Sequence, residues 1–254
     1  MSDVTVLQPD QLRGYSRVVR PVFVIDIETT GLERDADIIE FGIYDYRDDS
    51  SWGTLVKNER YSANRTTRVT GLTDDDLRDA PGLSEAIDAL SRRVDLRSGV
   101  FIAHNGRRFD FPRINRALSS VSSGYELPIE RTVDSLNIAK NIVPWHESTA
   151  HSIAALIDHY GIVGVQEHRA ASDCEFTSKV LDSLLLDAAR RGVTGYESVE
   201  SMIESSRSGH TPSAAERAAR DAYKALVVAE QSKDVPPERL ASIRNAYDTL
   251  VSRI

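Results

Sequence analysis

Residues 23–32 read FVIDIETTGL, a run of apolar and β-branched residues that carries two acids, Asp26 and Glu28. Its composition is typical of a strand buried on both faces. Side chains two residues apart on a strand point to the same face, so we expect the two carboxylates to lie side by side. Buried carboxylates that lack a partner are costly. The acids therefore lie at a solvated strand end, pair with distant arginines, or hold a divalent cation, which prefers oxygen ligands.

The composition limits the classes of protein to consider. Apolar residues make up 41% and charged residues 28% of the 254 residues, and no apolar run approaches the roughly 18 residues that span a bilayer. The N-terminus lacks the pattern of a signal peptide, and the single Cys174 allows no internal disulfide, which favours a cytoplasmic, membrane-free protein. The net charge of −8 argues against a protein that coats duplex DNA, though an enzyme that binds one strand end stays compatible.

The order of elements predicts an α/β fold. Three strands with short connections, at 21–28, 37–46 and 51–57, indicate an antiparallel meander. Further strands near 100–104 and 129–133 alternate with helices, which are predicted at 110–119, 134–141, 152–160 and 170–191. This pattern predicts a mixed sheet that combines the meander with parallel strands and is flanked by helices.

The ends of the chain differ from its middle. Residues 1–20 give no clear signal and are assigned to an N-terminal extension, residues 21–192 to the main domain, and residues 193–212 to a linker. Residues 213–254 predict a helical hairpin, whose second helix carries apolar residues at helical spacing: Leu240, Ile243, Tyr247, Leu250, Val251 and Ile254. A hairpin of this size does not fold alone, so it packs on the main domain, a second copy of the chain, or another protein.

Two further segments carry acids and histidines. HNGRRFD (104–110) follows a predicted buried strand and ends in Asp110, and HRAASD (168–173) places His168 five residues before Asp173. Each segment alone is a weak signal. In order along one chain, they supply two carboxylates to join Asp26 and Glu28.

With these three motifs the sequence resembles the DEDDh exonucleases, over about residues 20–190. DIETTG matches the first motif of that superfamily, FIAHNGRRFDFP the second, in a form similar to its TREX branch, and HRAASD the third. The resemblance implies an RNase H-like fold and a site with two Mg²⁺ ions, for which Mn²⁺ substitutes. It also implies the catalytic residues, with His168 as general base and four metal ligands: Asp26, Glu28, Asp110 and Asp173.

The resemblance further implies a receptor for a 3′ end. Thr29 and Thr30 are candidates for bonding the terminal 3′-hydroxyl, and Asn105 for contacting the sugar or phosphate. Leu32 and Val69 match positions that contact the last base, although plain core packing is the alternative for both. Arginines around the second motif either form a solvated face or contact backbone phosphates; they are Arg107, Arg108, Arg113 and Arg116. His104 is expected to order its loop.

The predicted function is therefore that of a Mg²⁺-dependent 3′→5′ exonuclease. It would release 5′-mononucleotides from single-stranded or frayed DNA, in proofreading, repair or nucleotide salvage. One alternative is an exoribonuclease that trims RNA ends or degrades very short RNAs. A less favoured alternative is a non-catalytic, polymerase-associated module, for which four mutually repelling acids would serve no purpose. The C-terminal helices are expected to contact the main domain, a second copy in a homodimer, or another protein.

Overall fold

The computed structural model describes residues 5–57, 66–121, 124–164, 168–232 and 234–254. Helix α1 (Pro9–Val18) precedes a five-stranded sheet of order β3-β2-β1-β4-β5. The strands are β1 (Val22–Thr29), β2 (Ile38–Asp45), β3 (Ser50–Leu55), β4 (Val100–Ala103) and β5 (Thr132–Asp134). Between β3 and β4 lie α2 (Thr67–Thr70), α3 (Asp74–Arg78) and α4 (Leu83–Arg93), and between β4 and β5 lies α5 (Asp110–Ser120).

The described residues that follow the sheet form the helices α6 (Ser135–Ile142), α7 (Ile153–Tyr160), α8 (Ala170–Arg191), α9 (Val199–Ser205), α10 (Ala214–Gln231) and α11 (Pro237–Val251). Strands β1, β2 and β3 pair antiparallel, whereas β4 and β5 run parallel to β1. The predicted mixed sheet of RNase H-like type is thus confirmed. None of the helices in the described ranges has both the length and the apolar character needed to cross a membrane.

The alternation of side chains along β1 divides the core into two layers. Val22 and Val24 face the layer that contains α6, α7 and α8. Phe23 and Ile25 face the opposite layer, which contains α4 and α5. Because both faces of the sheet are covered by helices, β1 is apolar at every position from Val22 to Ile25, as the sequence predicts for a central strand.

The segments assigned to an extension and a linker both contribute to the main core. Residues 1–4 lie outside the described residues, but α1 buries Leu12, and Leu7 donates a backbone hydrogen bond to the Tyr196 carbonyl at 2.7 Å. Helix α9 lies within the expected linker and buries Met202. The linker interpretation is therefore wrong for residues 199–205. The Ser-rich composition suggested a linker, but these residues form a short amphipathic helix capped by Ser198.

The C-terminal hairpin packs against the loop that joins α6 to α7. The guanidinium of Arg220 lies 4.4 Å from the centre of the Trp145 ring and donates to the Thr149 carbonyl. The hydroxyl of Tyr247 donates to the His146 carbonyl at 3.1 Å. The predicted hairpin is present, and it has a surface of contact within its own chain.

We expect Arg220→Ala to loosen this contact, because it removes both the hydrogen bonds and a cation–π interaction worth about 0.5–2 kcal/mol. Hydrogen exchange of α10 and α11 should accelerate while exchange of the sheet stays unchanged. Arg217 is the matched control on the same helix, since its side chain donates to the Pro212 carbonyl just before the helix. Equal exchange in Arg217→Ala and Arg220→Ala would contradict the docking role.

Candidate active site

The end of strand β1 carries the first two acids. Asp26 and Glu28 continue the face that begins with Val22 and Val24, so they point towards the layer of α8. Both are partly buried. The sequence therefore directs two adjacent carboxylates into the contact between the sheet and a helix, and the strand end is not simply solvated.

Two glycines let helix α8 approach these acids. Gly42 pairs with Asp26 across β1 and β2, and a Cβ atom at this position would lie 2.1 Å from the carbonyl carbon of Ala170. Gly53 pairs with Gly42 on β3, and a Cβ atom there would lie 3.2 Å from the Ala171 side chain. Adjacent glycines thus form a trough in the sheet, and the first turn of α8 lies in it.

The trough brings the third acid to the first two. Asp173 lies in the first turn of α8. Carboxylate oxygens of Asp26, Glu28 and Asp173 all lie within 4.8 Å of one another. Three acids separated by up to 147 positions therefore meet at one point, as the hypothesis of a metal site requires.

The fourth acid, Asp110, begins helix α5 and is buried. Its carboxylate accepts a hydrogen bond from the backbone of Ile27, between the two acids of β1. In the described part of the chain its Oδ1 atom has no hydrogen-bond partner. The amino end of α5 also favours a negative charge here.

The raised pKa values of the acids show that their negative charges are poorly compensated. Burial, followed by repulsion from Asp110, raises the pKa of Asp26 well above its usual range. Burial and repulsion from Asp173 raise the pKa of Glu28 to about 8. Burial also raises the pKa of Asp110 to about 7. At neutral pH this cluster needs bound protons or a bound cation.

The residues fit a divalent metal ion. The donors are carboxylate oxygens, which Mg²⁺ and Mn²⁺ prefer. They converge within 4.8 Å, and the buried Oδ1 atom of Asp110 still lacks a donor within the described ranges. This arrangement supplies what a cation site needs and what a purely structural cluster would avoid.

The two histidines of the motifs differ in environment. His104 is enclosed: its ring nitrogens lie 3.0 Å from the Ser135 hydroxyl and 2.8 Å from the His151 carbonyl. The carbonyl accepts only, so Nε2 carries the proton, and burial lowers the pKa of His104 to about 4. His168 is exposed and immediately precedes the N-cap of α8, with a left-handed φ of 51°. His104 therefore holds its loop in place, whereas His168 is accessible.

A cavity of about 360 Å³ opens beside Glu28. Leu32 and Val69 line it and are 85% and 58% exposed, which excludes core packing for both. Thr29 and Thr30 also line the cavity, but both are buried. Their hydroxyls serve the neighbouring loop, since Thr29 donates to the Gly31 carbonyl at 2.7 Å and Thr30 accepts from the Asp37 amide at 3.1 Å.

Arginines of helix α5 hold the loop that follows β1. Arg113 is buried, donates to the carbonyls of Leu32 and Glu33 at 2.7 Å, and stacks 3.8 Å from the centre of the Phe109 ring. Arg116 donates to the same loop. The buried Arg113 does not fit a solvated face, whereas Arg116 is exposed as that expectation requires. They fix the wall of the cavity, and Phe109, which sequence reasoning did not select, completes it.

The loop of the second motif is organised by Asp134. Its carboxylate accepts from the backbone amides of Asn105 at 2.9 Å and Arg107 at 3.3 Å. Asn105 has a left-handed φ of 65°, which this bond stabilises. The Arg107 guanidinium donates to the Thr132 carbonyl at 3.1 Å, so it braces β5. The neighbouring Arg108 is exposed, whereas Arg107 is half-buried.

Sequence reasoning also missed Glu40, a buried acid opposite Glu28 in the register of β1 and β2. A single acid between Ile39 and Phe41 in an apolar strand is the same signal that marked Asp26. The signal for Gly42 was weaker, because a glycine in a strand indicates a close backbone approach without naming the neighbour.

Comparison with known proteins agrees with this geometry. The sequence profile of the exonuclease family RNase_T matches residues 23–181. The chain therefore belongs to this family of exonucleases and is a nuclease by class. The resemblance to DEDDh exonucleases is confirmed.

The curated relatives are much longer proteins. The chain is 26% identical over 184 residues to the PolC-type DNA polymerase III of Thermotoga petrophila, covering 70% of this chain and 13% of the relative. It is 29% identical over 182 residues to the PolC-type enzyme of Bacillus subtilis, covering 68% and 12%. The chain thus spans about an eighth of the length of these relatives.

Solved structures share the fold. E. coli exonuclease I in complex with a dT13 oligonucleotide has a TM-score of 0.58 at 14% identity, covering 68% of this chain and 42% of that chain. Exonuclease X in complex with a 5′ overhanging duplex DNA has a TM-score of 0.52 at 21% identity, covering 73% and 99%.

The glycine trough gives a first prediction. Gly42→Ala should cost about 1–3 kcal/mol of unfolding free energy, because a Cβ atom overlaps the Ala170 backbone. Moving α8 outward also separates Asp173 from Asp26 and should weaken metal binding. Gly14→Ala in α1 is the control, since nothing lies within 4 Å of its Cβ position. Urea denaturation of both variants decides the point, and equal stability would refute the close contact.

The raised pKa values give a second prediction. Glu28 and Asp110 have ordinary values of 4.5 and 3.8 and folded values of about 8 and about 7. Their protonated forms therefore stabilise the fold, fully below the ordinary pKa values, and this contribution declines as the pH rises above them until it is lost beyond about pH 7 to 8. In a chelator, thermal unfolding should occur at a lower temperature at about pH 8.5 than at about pH 6.

Addition of Mn²⁺ at the higher pH should restore the melting temperature, because the ion binds the ionised acids. Asp110→Asn should melt above the wild type in chelator at the higher pH and gain less from Mn²⁺. A melting temperature that is independent of pH and Mn²⁺ would show that the carboxylates have another neutralising partner.

Proposed function

We propose that the chain is a Mg²⁺-dependent 3′→5′ exonuclease that removes 5′-mononucleotides from single-stranded or frayed DNA ends. The observation that carries this proposal is the convergence of Asp26, Glu28 and Asp173 within 4.8 Å at the edge of an open cavity. An acid cluster built only for stability would have no reason to adjoin a cavity with exposed apolar walls.

The carboxylates have the role of holding two cations. Asp26, Glu28 and Asp173, whose oxygens converge, are assigned to one position, and Asp110, with Asp26, would hold the other, as the resemblance to DEDDh exonucleases implies. When bound, such ions activate a water molecule and stabilise negative charge on the phosphate and on the leaving 3′ oxygen. Mn²⁺, which accepts the same oxygen ligands, is expected to substitute for Mg²⁺.

His168 is assigned as the general base. It is exposed next to α8, five residues before Asp173, so its ring is accessible to take the proton of the attacking water. A histidine suits this step because its neutral form is abundant near neutral pH. The enclosed His104 makes two hydrogen bonds already and is excluded from the role.

The cavity is assigned to the terminal nucleotide. Leu32, Val69 and Phe109 line the cavity with apolar and aromatic surface. Any base can pack or stack on such a surface, so no sequence preference is expected. Thr29 and Thr30 line the same cavity, directly after Glu28 in the chain, and are assigned to the 3′-hydroxyl. Nucleotide-binding roles of Asn105 and Arg108 rest on their place in the second motif with Asp110, whereas Arg107 already donates to the Thr132 carbonyl.

DNA is favoured over RNA because the curated relatives are DNA polymerases. The exoribonuclease alternative uses the same carboxylates, since the chemistry occurs at the phosphate. One hydroxyl-sensitive contact near the sugar would separate the two activities.

The test is an assay with end-labelled single-stranded DNA, RNA of the same sequence, and duplex DNA, in Mg²⁺ or in chelator. We expect stepwise loss of nucleotides from the 3′ end of the single-stranded DNA, and none in chelator. Asp26→Asn should lower the rate by more than about 100-fold, beyond the 10–100-fold effects of residues that only support metal ligands.

Asp187→Asn provides the matched control, because Asp187 is a buried acid of α8 that pairs with Arg191 far from the cluster. Its activity should equal that of the wild type. Cleavage from the 5′ end, or activity that survives chelation, would contradict the proposal. Degradation of RNA alone would move the assignment to the exoribonuclease.

A further inference from the structure

An ion pair lies beside the acid cluster without belonging to it. Glu40, on β2, is 3% exposed. The Arg169 guanidinium grips its carboxylate with both Nε, at 3.1 and 3.2 Å, and Nη2, at 2.8 Å. A contact of this kind fixes orientation as well as distance.

Glu40 also caps helix α8 from a neighbouring strand. Its second carboxylate oxygen accepts the backbone amide of Ala170 at 3.2 Å. Arg169 is the N-cap residue of α8 but offers no side-chain acceptor to the helix. The first amides of a helix need such an acceptor, and the helix dipole favours a carboxylate there. Glu40 supplies both the acceptor and the negative charge, although it lies 129 residues from Arg169 and 130 residues from Ala170 in the sequence.

The position of this contact links it to the reaction. Glu40 pairs with Glu28 across the strands. Arg169, its other partner, lies between His168 and the turn that carries Asp173. The contact therefore fastens to the sheet the one segment that holds both the assigned base and a metal ligand.

Charge balance identifies what the pair contributes. One carboxylate and one guanidinium cancel, so the pair does not neutralise the four acids nearby. Its contribution is geometric: it holds the start of α8 in the glycine trough while those acids repel one another.

We propose that Glu40 and Arg169 are positioning residues that set the placement of His168 and Asp173 relative to Asp26. This inference rests on the proposed exonuclease function. Through Glu40, it assigns the reaction a requirement outside the three motifs, in a strand that carries none of the assigned metal ligands.

The variants Glu40→Gln, Arg169→Gln and the double variant test it. In the DNA assay, each single change should lower kcat by about 10–100-fold with KM within about twofold of the wild type, the range found for residues that orient metal ligands. The double variant should lose no more than the worse single variant, because both changes break one contact. Arg169→Lys keeps the charge but not the two-point grip, and should not rescue kcat.

A measurement that does not depend on turnover accompanies the assay. Mn²⁺ titration, followed by electron paramagnetic resonance, should show an affinity about 10-fold weaker in Glu40→Gln, because Asp173 is displaced. Both measurements are made at a temperature where circular dichroism shows the variant folded. If Glu40→Gln does not fold, Arg169→Lys supplies the same two measurements.

Asp182→Asn is the control for an effect on stability alone. Asp182 lies on α8 and pairs with Arg13 at 2.9 Å, so its loss destabilises the same helix elsewhere. It should lower the melting temperature and leave kcat and Mn²⁺ affinity unchanged. Wild-type kcat and Mn²⁺ affinity in the Glu40 and Arg169 variants, or equal losses in Asp182→Asn, would overturn the proposal. A wild type without nuclease activity would refute the proposed function instead, and Mn²⁺ affinity would still test the positioning role.

Discussion

Repulsion among buried carboxylates is the constraint on which the arrangement of this protein depends. Asp26 and Glu28 enter the core on one strand, and two helices bring Asp173 and Asp110 to them. Burial raises the pKa values of Asp26, Glu28 and Asp110, and repulsion from the other acids raises those of Asp26 and Glu28 further. Such a cluster lowers the free energy of unfolding and persists in a fold where function requires it. A cation that neutralises the carboxylates would restore this free energy.

The surrounding structure resists this repulsion by contacts that do not depend on a metal ion. Gly42 opens the sheet to the backbone of α8, and Glu40 holds the start of that helix. Asp134 accepts the amides of the loop that leads to Asp110. Each contact joins backbone to backbone or backbone to a buried acid, so the acids stay close while their charges oppose it. The site is thereby organised before any ligand arrives.

The sequence predicted the elements whose signals are local. Two acids in an apolar strand marked β1, and the bounds of α8, Ala170–Arg191, were predicted correctly because Gly192 stops a clear helical pattern. Helix α9 was not predicted, because it is short and lies in Ser-rich sequence. Its burial of Met202 depends on contacts with the rest of the core. The grip of Arg169 on Glu40 spans 129 residues, and that of Arg113 on the Leu32 carbonyl spans 81. Contacts at such separations leave no periodic trace, so only the folded chain reveals them.

The central claim is that a divalent cation belongs among Asp26, Glu28 and Asp173. Anomalous diffraction from crystals grown with Mn²⁺ tests it most directly, because the signal locates the ion without reference to activity. We expect an anomalous peak at coordination distance from all three carboxylates and a second peak beside Asp110. Crystals in which the acids keep this arrangement, saturated with Mn²⁺ and without a peak among them, would contradict it.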